Sequence, residues 1–186
     1  QDGREFRFYD DLIKGKIVVI SFIFTTCPDI CPLTTARLAQ VQEKLGDRVG
    51  RDIFMYSISI EPEVDTPEKL KSYAEAFRAG PGWLFLTGKP ADMKLIRHKL
   101  GERSRVPAEH QMIVLGNDVT GEWGRDSAFD DIGRLATTIA DMDPKLREQV
   151  RTPVKSEEED SAHVLSERPG EAMFMKLCAS CHTVGK

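Results

Sequence analysis

No apolar run in this 186-residue chain approaches the ~20 residues a helix needs to cross a bilayer. A basic stripe with interleaved aromatics is missing too. The net charge of −4 and pI near 5.6 argue further against nucleic acid as the partner. Nor is there an initiating methionine. The chain opens at Gln1, which reads as a processed or trimmed fragment, and any signal peptide or membrane anchor of the parent protein is expected to lie outside it. Cysteine is scarce: four residues, falling into two pairs, Cys27 with Cys31 and Cys178 with Cys181. What is present, 40% hydrophobic and 30% charged residues, describes a soluble globular protein of one ordinary domain plus a short appendage.

The most informative stretch is Cys27-Pro28-Asp29-Ile30-Cys31-Pro32. It follows the apolar, β-branched residues 17–24 and precedes an amphipathic helical pattern, so two thiols are delivered where a buried strand ends and a helix begins. Pro32 disfavours the α conformation at Cys31 and suits a first helical position, which predicts a helix start near Pro32 and a stiff loop from Cys27 to Cys31. The helix N-terminus, with its unpaired N–H groups, is expected to favour a thiolate at Cys31. Two thiolates on a stiff loop suit a soft metal ion or reversible disulfide chemistry. The blander alternative is a structural disulfide or two inert core cysteines.

Periodicity alternates strand and helix along the chain. Residues 5–9 alternate polar and apolar and are expected to pair as a strand with residues 16–24. Helical spacing over residues 33–45 stops at Gly46, residues 53–60 read as a second buried strand, and Pro67 opens a helix ending near Gly80. Residues 83–86 form a short strand, and Pro90 opens a helix through Leu100. Residues 112–115 and 122–123 flank a turn at Gly116-Asn117-Asp118, and residues 130–142 make a last amphipathic helix. The order implies an α/β fold, a thioredoxin-like three-layer sandwich with a central mixed sheet. It spans residues 1–142. Residues 143–169, with three prolines and the run Glu157-Glu158-Glu159-Asp160, read as a linker. His163 in that linker and His98 on a polar helix face read as solvated.

A second motif, Cys178-Ala179-Ser180-Cys181-His182, closes the chain within residues 170–186. Two thiols three residues apart can add to the vinyl groups of haem, with the adjacent His as axial ligand. A redox pair or half a zinc site is the alternative, although two further zinc ligands are lacking nearby.

The residues from Phe24 to Pro32 resemble the copper-site signature of the Sco/SenC family, extracytoplasmic thioredoxin-fold proteins involved in copper delivery to cytochrome c oxidase. Ser57 through Leu70, with its Asp65-Thr66-Pro67 helix start, is similar to the family's second block. The resemblance covers residues 10–142 and implies copper bound by Cys27, Cys31 and His110, the last standing where the family places a His shortly before a late strand. The family usually has Asp before that His; here it is Glu109. The tail resembles the opening of a class I cytochrome c domain, implying haem c on Cys178, Cys181 and His182 in the parent protein. Covalent haem attachment also implies an extracytoplasmic (periplasmic) location.

Three such ligands suit Cu(I) and, with a weaker fourth donor, Cu(II). Two functions follow. The first is a metallochaperone, not an enzyme in the turnover sense, whose partner is the oxidase subunit carrying the copper centre or another copper chaperone. The second is a thiol–disulfide oxidoreductase or redox sensor in which Cys27 and Cys31 are the redox-active pair. The C-x-x-x-C spacing leans toward metal, since dithiol oxidoreductases of this fold usually carry C-x-x-C.

Overall fold

The computed structural model describes residues 1–103 and 111–145. Five strands, β1 (Ile17–Ile23), β2 (Ile53–Ser59), β3 (Trp83–Leu86), β4 (Met112–Asn117) and β5 (Glu122–Ser127), form one sheet in the order β3-β2-β1-β4-β5. β1, β2 and β3 run parallel, while β4 is antiparallel to both β1 and β5. The sheet is therefore mixed, and the three apolar runs of the sequence occupy its three inner positions. The helices are α1 (Ile30–Leu45), α2 (Pro67–Ala76), α3 (Pro90–Lys99) and α4 (Ile132–Ala140).

β1 is apolar at nearly every position because it is buried on both faces. Ile17, Val19 and Ile23 point into a core shared with Leu38, Val41 and Leu45 of α1, Leu70 of α2, and Leu135 and Ile139 of α4. Val18, Ile20 and Phe22 point the other way, into a core closed by Leu12, Ile13 and Met93. This is the three-layer arrangement read from the sequence. On the α1 face the apolar pattern is broken by Ser21 and Ser57, whose hydroxyls lie 2.9 Å apart, and Trp83 Nε1 donates to Ser57 Oγ at 3.0 Å. These buried polar groups are mutually satisfied, so they cost little.

Helix starts follow their signals at Pro67 and Pro90. Thr66 caps α2, its hydroxyl accepting the Lys69 N–H at 3.4 Å, and Asp131 caps α4 through the Arg134 N–H at 2.8 Å. One expected strand is absent. Residues 5–9 do not pair with β1, and a π-helical turn, Phe8–Ile13, forms instead. The reason is that both edges of β1 are already taken by β2 and β4. Leu12 and Ile13 are buried under the sheet, and Leu12 O accepts the buried Tyr56 hydroxyl at 2.7 Å. The linker and tail read from residues 143–169 and 170–186 lie outside the described residues, apart from the first three. Among the described residues, no helix is long and apolar enough to cross a membrane.

Candidate metal centre

The cysteine loop leaves the carboxyl end of β1, the end of a parallel strand where α/β folds hold their ligands. It turns at once: the Cys27 N–H donates to Phe24 O at 3.2 Å. The chain then enters α1 at Ile30, two residues before Pro32 and one before Cys31. This corrects the expected start near Pro32 and the expected loop through Cys31. Pro32 fits the first turn all the same, since an N–H there would have no helical acceptor.

Asp29 precedes α1 but makes no side-chain cap hydrogen bond. The cap is sulfur: the Cys31 N–H donates to Cys27 Sγ at 3.4 Å. The helix N-terminus therefore serves Cys27, where the sequence had suggested Cys31. Both cysteines are free thiols; Cys27 is 5% exposed and Cys31 fully buried. Burial pushes the Cys31 thiol up to about 12, and its hydrogen bond to the Cys27 sulfur adds to the rise. A thiolate at Cys31 is thus disfavoured in the metal-free fold. Desolvation outweighs the helix terminus, whose field acts on the other sulfur.

Behind the cysteines, Thr35 Oγ1 donates to Cys31 O at 2.8 Å and lies 3.3 Å from the Tyr73 hydroxyl. Burial raises that phenol to about 12, so it stays a neutral donor. Arg37 locks α1 to the loop after β5, its Nε donating to Ala128 O at 2.6 Å and a second nitrogen to Asp130 O. On the β2 side, fully buried Asp65 accepts the Thr25 hydroxyl at 2.5 Å, the Thr25 N–H at 3.1 Å and the Ser59 hydroxyl at 2.6 Å. Thr26 Oγ1 donates to Glu61 Oε2 at 3.2 Å.

The structure thus brings Cys27 and Cys31 together. His110, Cys178, Cys181, His182 and His163 lie outside the described residues, and His98 is exposed on α3. β4, which follows His110 in sequence after one residue, begins at the sheet end where β1 delivers the cysteine loop. Among the described residues, no group of three His, Cys, Asp or Glu side chains could hold a metal ion. Two buried, unoxidised sulfurs are a fit for a soft ion such as Cu(I), but they supply only part of its donor set. Thr25 and Asp65 were not singled out by the sequence beyond the helix start. An Asp just before a capped Pro gives no sign that its carboxylate faces a loop 40 residues earlier.

The SCO1/SenC family model matches residues 1–113, which contain both cysteines and His110. A putative copper-binding protein of Stutzerimonas stutzeri is 29% identical over 154 residues, covering 83% of this chain and 67% of its own length. The chain spans less than half the length of several other curated relatives. Among solved structures, yeast Sco1 with copper bound superposes with a TM-score of 0.56 at 27% identity, over 77% of this chain and 83% of that one. BsSco, described with a disulfide switch and as a member of the Sco family of cytochrome c oxidase assembly proteins, gives 0.56 at 26% identity, over 69% and 80%. With its mixed sheet, its paired thiols at the end of β1 and a family match over more than half its length, the chain belongs to the SCO1/SenC family.

Proposed function

We propose that this protein carries copper as cargo for assembly of the cytochrome c oxidase copper centre, held by the sulfurs of Cys27 and Cys31 and the imidazole of His110. The observation that carries the reading is the pair of reduced, buried cysteines at the carboxyl end of β1, joined where the Cys31 N–H donates to Cys27 Sγ at 3.4 Å. Soft sulfur donors select Cu(I), and burial keeps water and other ligands away from it. His110 supplies the harder third donor. It stands two positions before Met112, the first residue of β4, in the sequence. Loading displaces the thiol protons and is therefore favoured by rising pH. The copper-bound yeast relative and the oxidase-assembly description of BsSco support the same cargo and destination.

The partner is the oxidase subunit bearing the copper centre, or another copper chaperone, on the extracytoplasmic side of the membrane. The test is the metal content of reduced protein. About one copper per chain is expected for the wild type and none for Cys27→Ala or Cys31→Ala. His110→Ala should weaken Cu(II) more than Cu(I), because imidazole is the harder donor. Unchanged stoichiometry in Cys27→Ala would rule the site out.

A second reading, a thiol–disulfide oxidoreductase or redox sensor for respiratory partners, draws on the same pair of reduced cysteines four positions apart. Full activity toward a partner disulfide by metal-free protein, together with no copper retention, would favour it. For the tail, we infer haem c on Cys178, Cys181 and His182 of the parent protein, beyond a linker at 143–169. A pyridine haemochrome assay on the full-length protein decides it.

A further inference from the structure

The geometry points to Asp65 as the positioning residue of the cysteine loop, acting through Thr25. This inference rests on the copper reading of Cys27 and Cys31 and deepens it. Thr25 stands two residues before Cys27, and both of its donors are committed to one carboxylate: the N–H reaches Asp65 at 3.1 Å and the hydroxyl at 2.5 Å. Asp65 is fully buried, and it comes from a different crossover, 40 residues further along the chain.

Its carboxylate is not spent on capping its own helix, because Thr66 caps α2. It is instead held rigidly and aimed at the loop. The Asp65 N–H donates to Glu61 O at 2.9 Å, Ser59 Oγ donates to the carboxylate at 2.6 Å, and the Glu61 N–H returns to Ser59 Oγ at 3.1 Å. β2 and the loop after it thus form a closed, hydrogen-bonded pedestal. Thr25 is pinned to that pedestal from one side, while Cys27 Sγ receives the α1 N–H of Cys31 from the other. Between these two fixed points the Cys27 side chain has little freedom. A preorganised sulfur pair binds metal without first ordering its own loop.

The test compares Thr25→Val, Thr25→Ser and Asp65→Asn in the whole chain. Cu(I) affinity is read by competition with bathocuproine disulfonate, Cys27 reactivity by iodoacetamide on metal-free protein, and folding by the thermal midpoint. Thr25→Val and Asp65→Asn are expected to lower Cu(I) affinity about 10- to 100-fold, and Thr25→Ser, which keeps the hydroxyl, to stay within about twofold. Metal-free Cys27 should alkylate several-fold faster in the first two variants and at the wild-type rate in the third. A lower thermal midpoint in Thr25→Val with unchanged affinity and unchanged alkylation would show a merely structural contact and overturn the inference. Should Asp65→Asn fail to fold, the Thr25 pair decides. If Cys27→Ala keeps its copper, the copper reading falls on its own, and the alkylation rates of metal-free protein still judge the positioning role.

Discussion

Two of the connections that leave the inner strands of this sheet are built differently. The turn from β4 to β5 is closed by a side chain of its own, and Asp118 also ties it to the segment before β1, accepting the Gly15 N–H at 2.8 Å while its own N–H donates to Lys16 O at 3.0 Å. Asn117 Oδ1 accepts the N–H groups of Val119 and Thr120 at 2.9 and 3.3 Å, and Val119 itself is 73% exposed. Gly116 lets Trp123 of β5 lie flat across β4, where an added Cβ would meet the ring at 2.3 Å. The loop from β1 to α1, beyond its own turn at Cys27, is hydrogen-bonded to residues 35 and 40 positions away, Glu61 and Asp65, and buries both of its sulfurs. The Asn117 bonds close the turn within three positions of the chain. A loop held by distant partners takes its shape only once β2 and the segment after it have assembled beside β1, and Cys27 Sγ adds a bond of its own by accepting the Cys31 N–H.

The difference can be broken first at Asp65. Asp65→Ala leaves the buried Ser59 hydroxyl and the partly buried Thr25 donors without their acceptor and should cost about 3 kcal/mol in urea unfolding. A loss below about 1 kcal/mol would mean the loop is not held from afar. Next comes the chemistry of that loop in metal-free protein. With Cys31 raised to about 12 from an ordinary 9.0, its alkylation at pH 8 should run on the order of 30-fold slower than that of an exposed cysteine, measured by site-resolved mass spectrometry. The sign for stability follows. Because the folded value lies above the unfolded one, burial of the neutral thiol stabilises fully below pH 9 and is lost as pH rises toward 12.

On the hairpin side, Asn117→Ala removes the turn acceptor and the donor to Met142 O, at 2.6 Å, and should cost about 1–2 kcal/mol while leaving Cu(I) affinity unchanged. A fall in copper affinity there would join the two regions and undo the contrast. Thr66→Ala, which removes the α2 cap beside Asp65, should cost about 1 kcal/mol in the same unfolding assay. Val119→Lys at the exposed turn tip should stay within about 0.5 kcal/mol of the wild type.

Much of the architecture was legible in the chain. Apolar runs too continuous for a half-exposed strand marked β1, β2 and β4, and Pro67 and Pro90 marked helix starts to the residue, because strand burial and proline's fixed φ are properties of a few adjacent residues. The strand expected at residues 5–9 failed for a non-local reason: alternation shows that a segment can pair, while only the occupied edges of β1 show that no place is left. The cysteines of the site were equally plain from their spacing after a buried strand.

By itself, then, the sequence determined the layers, the family and the two sulfurs, since each rests on patterns within one segment. Tertiary structure alone decided which sulfur meets the helix N-terminus, that Cys31 stays protonated in the metal-free fold, and that a carboxylate 40 residues downstream holds the loop. Those outcomes depend on burial and on hydrogen bonds between segments far apart in the chain. Desolvation and long-range pairing exist only after the chain has closed upon itself.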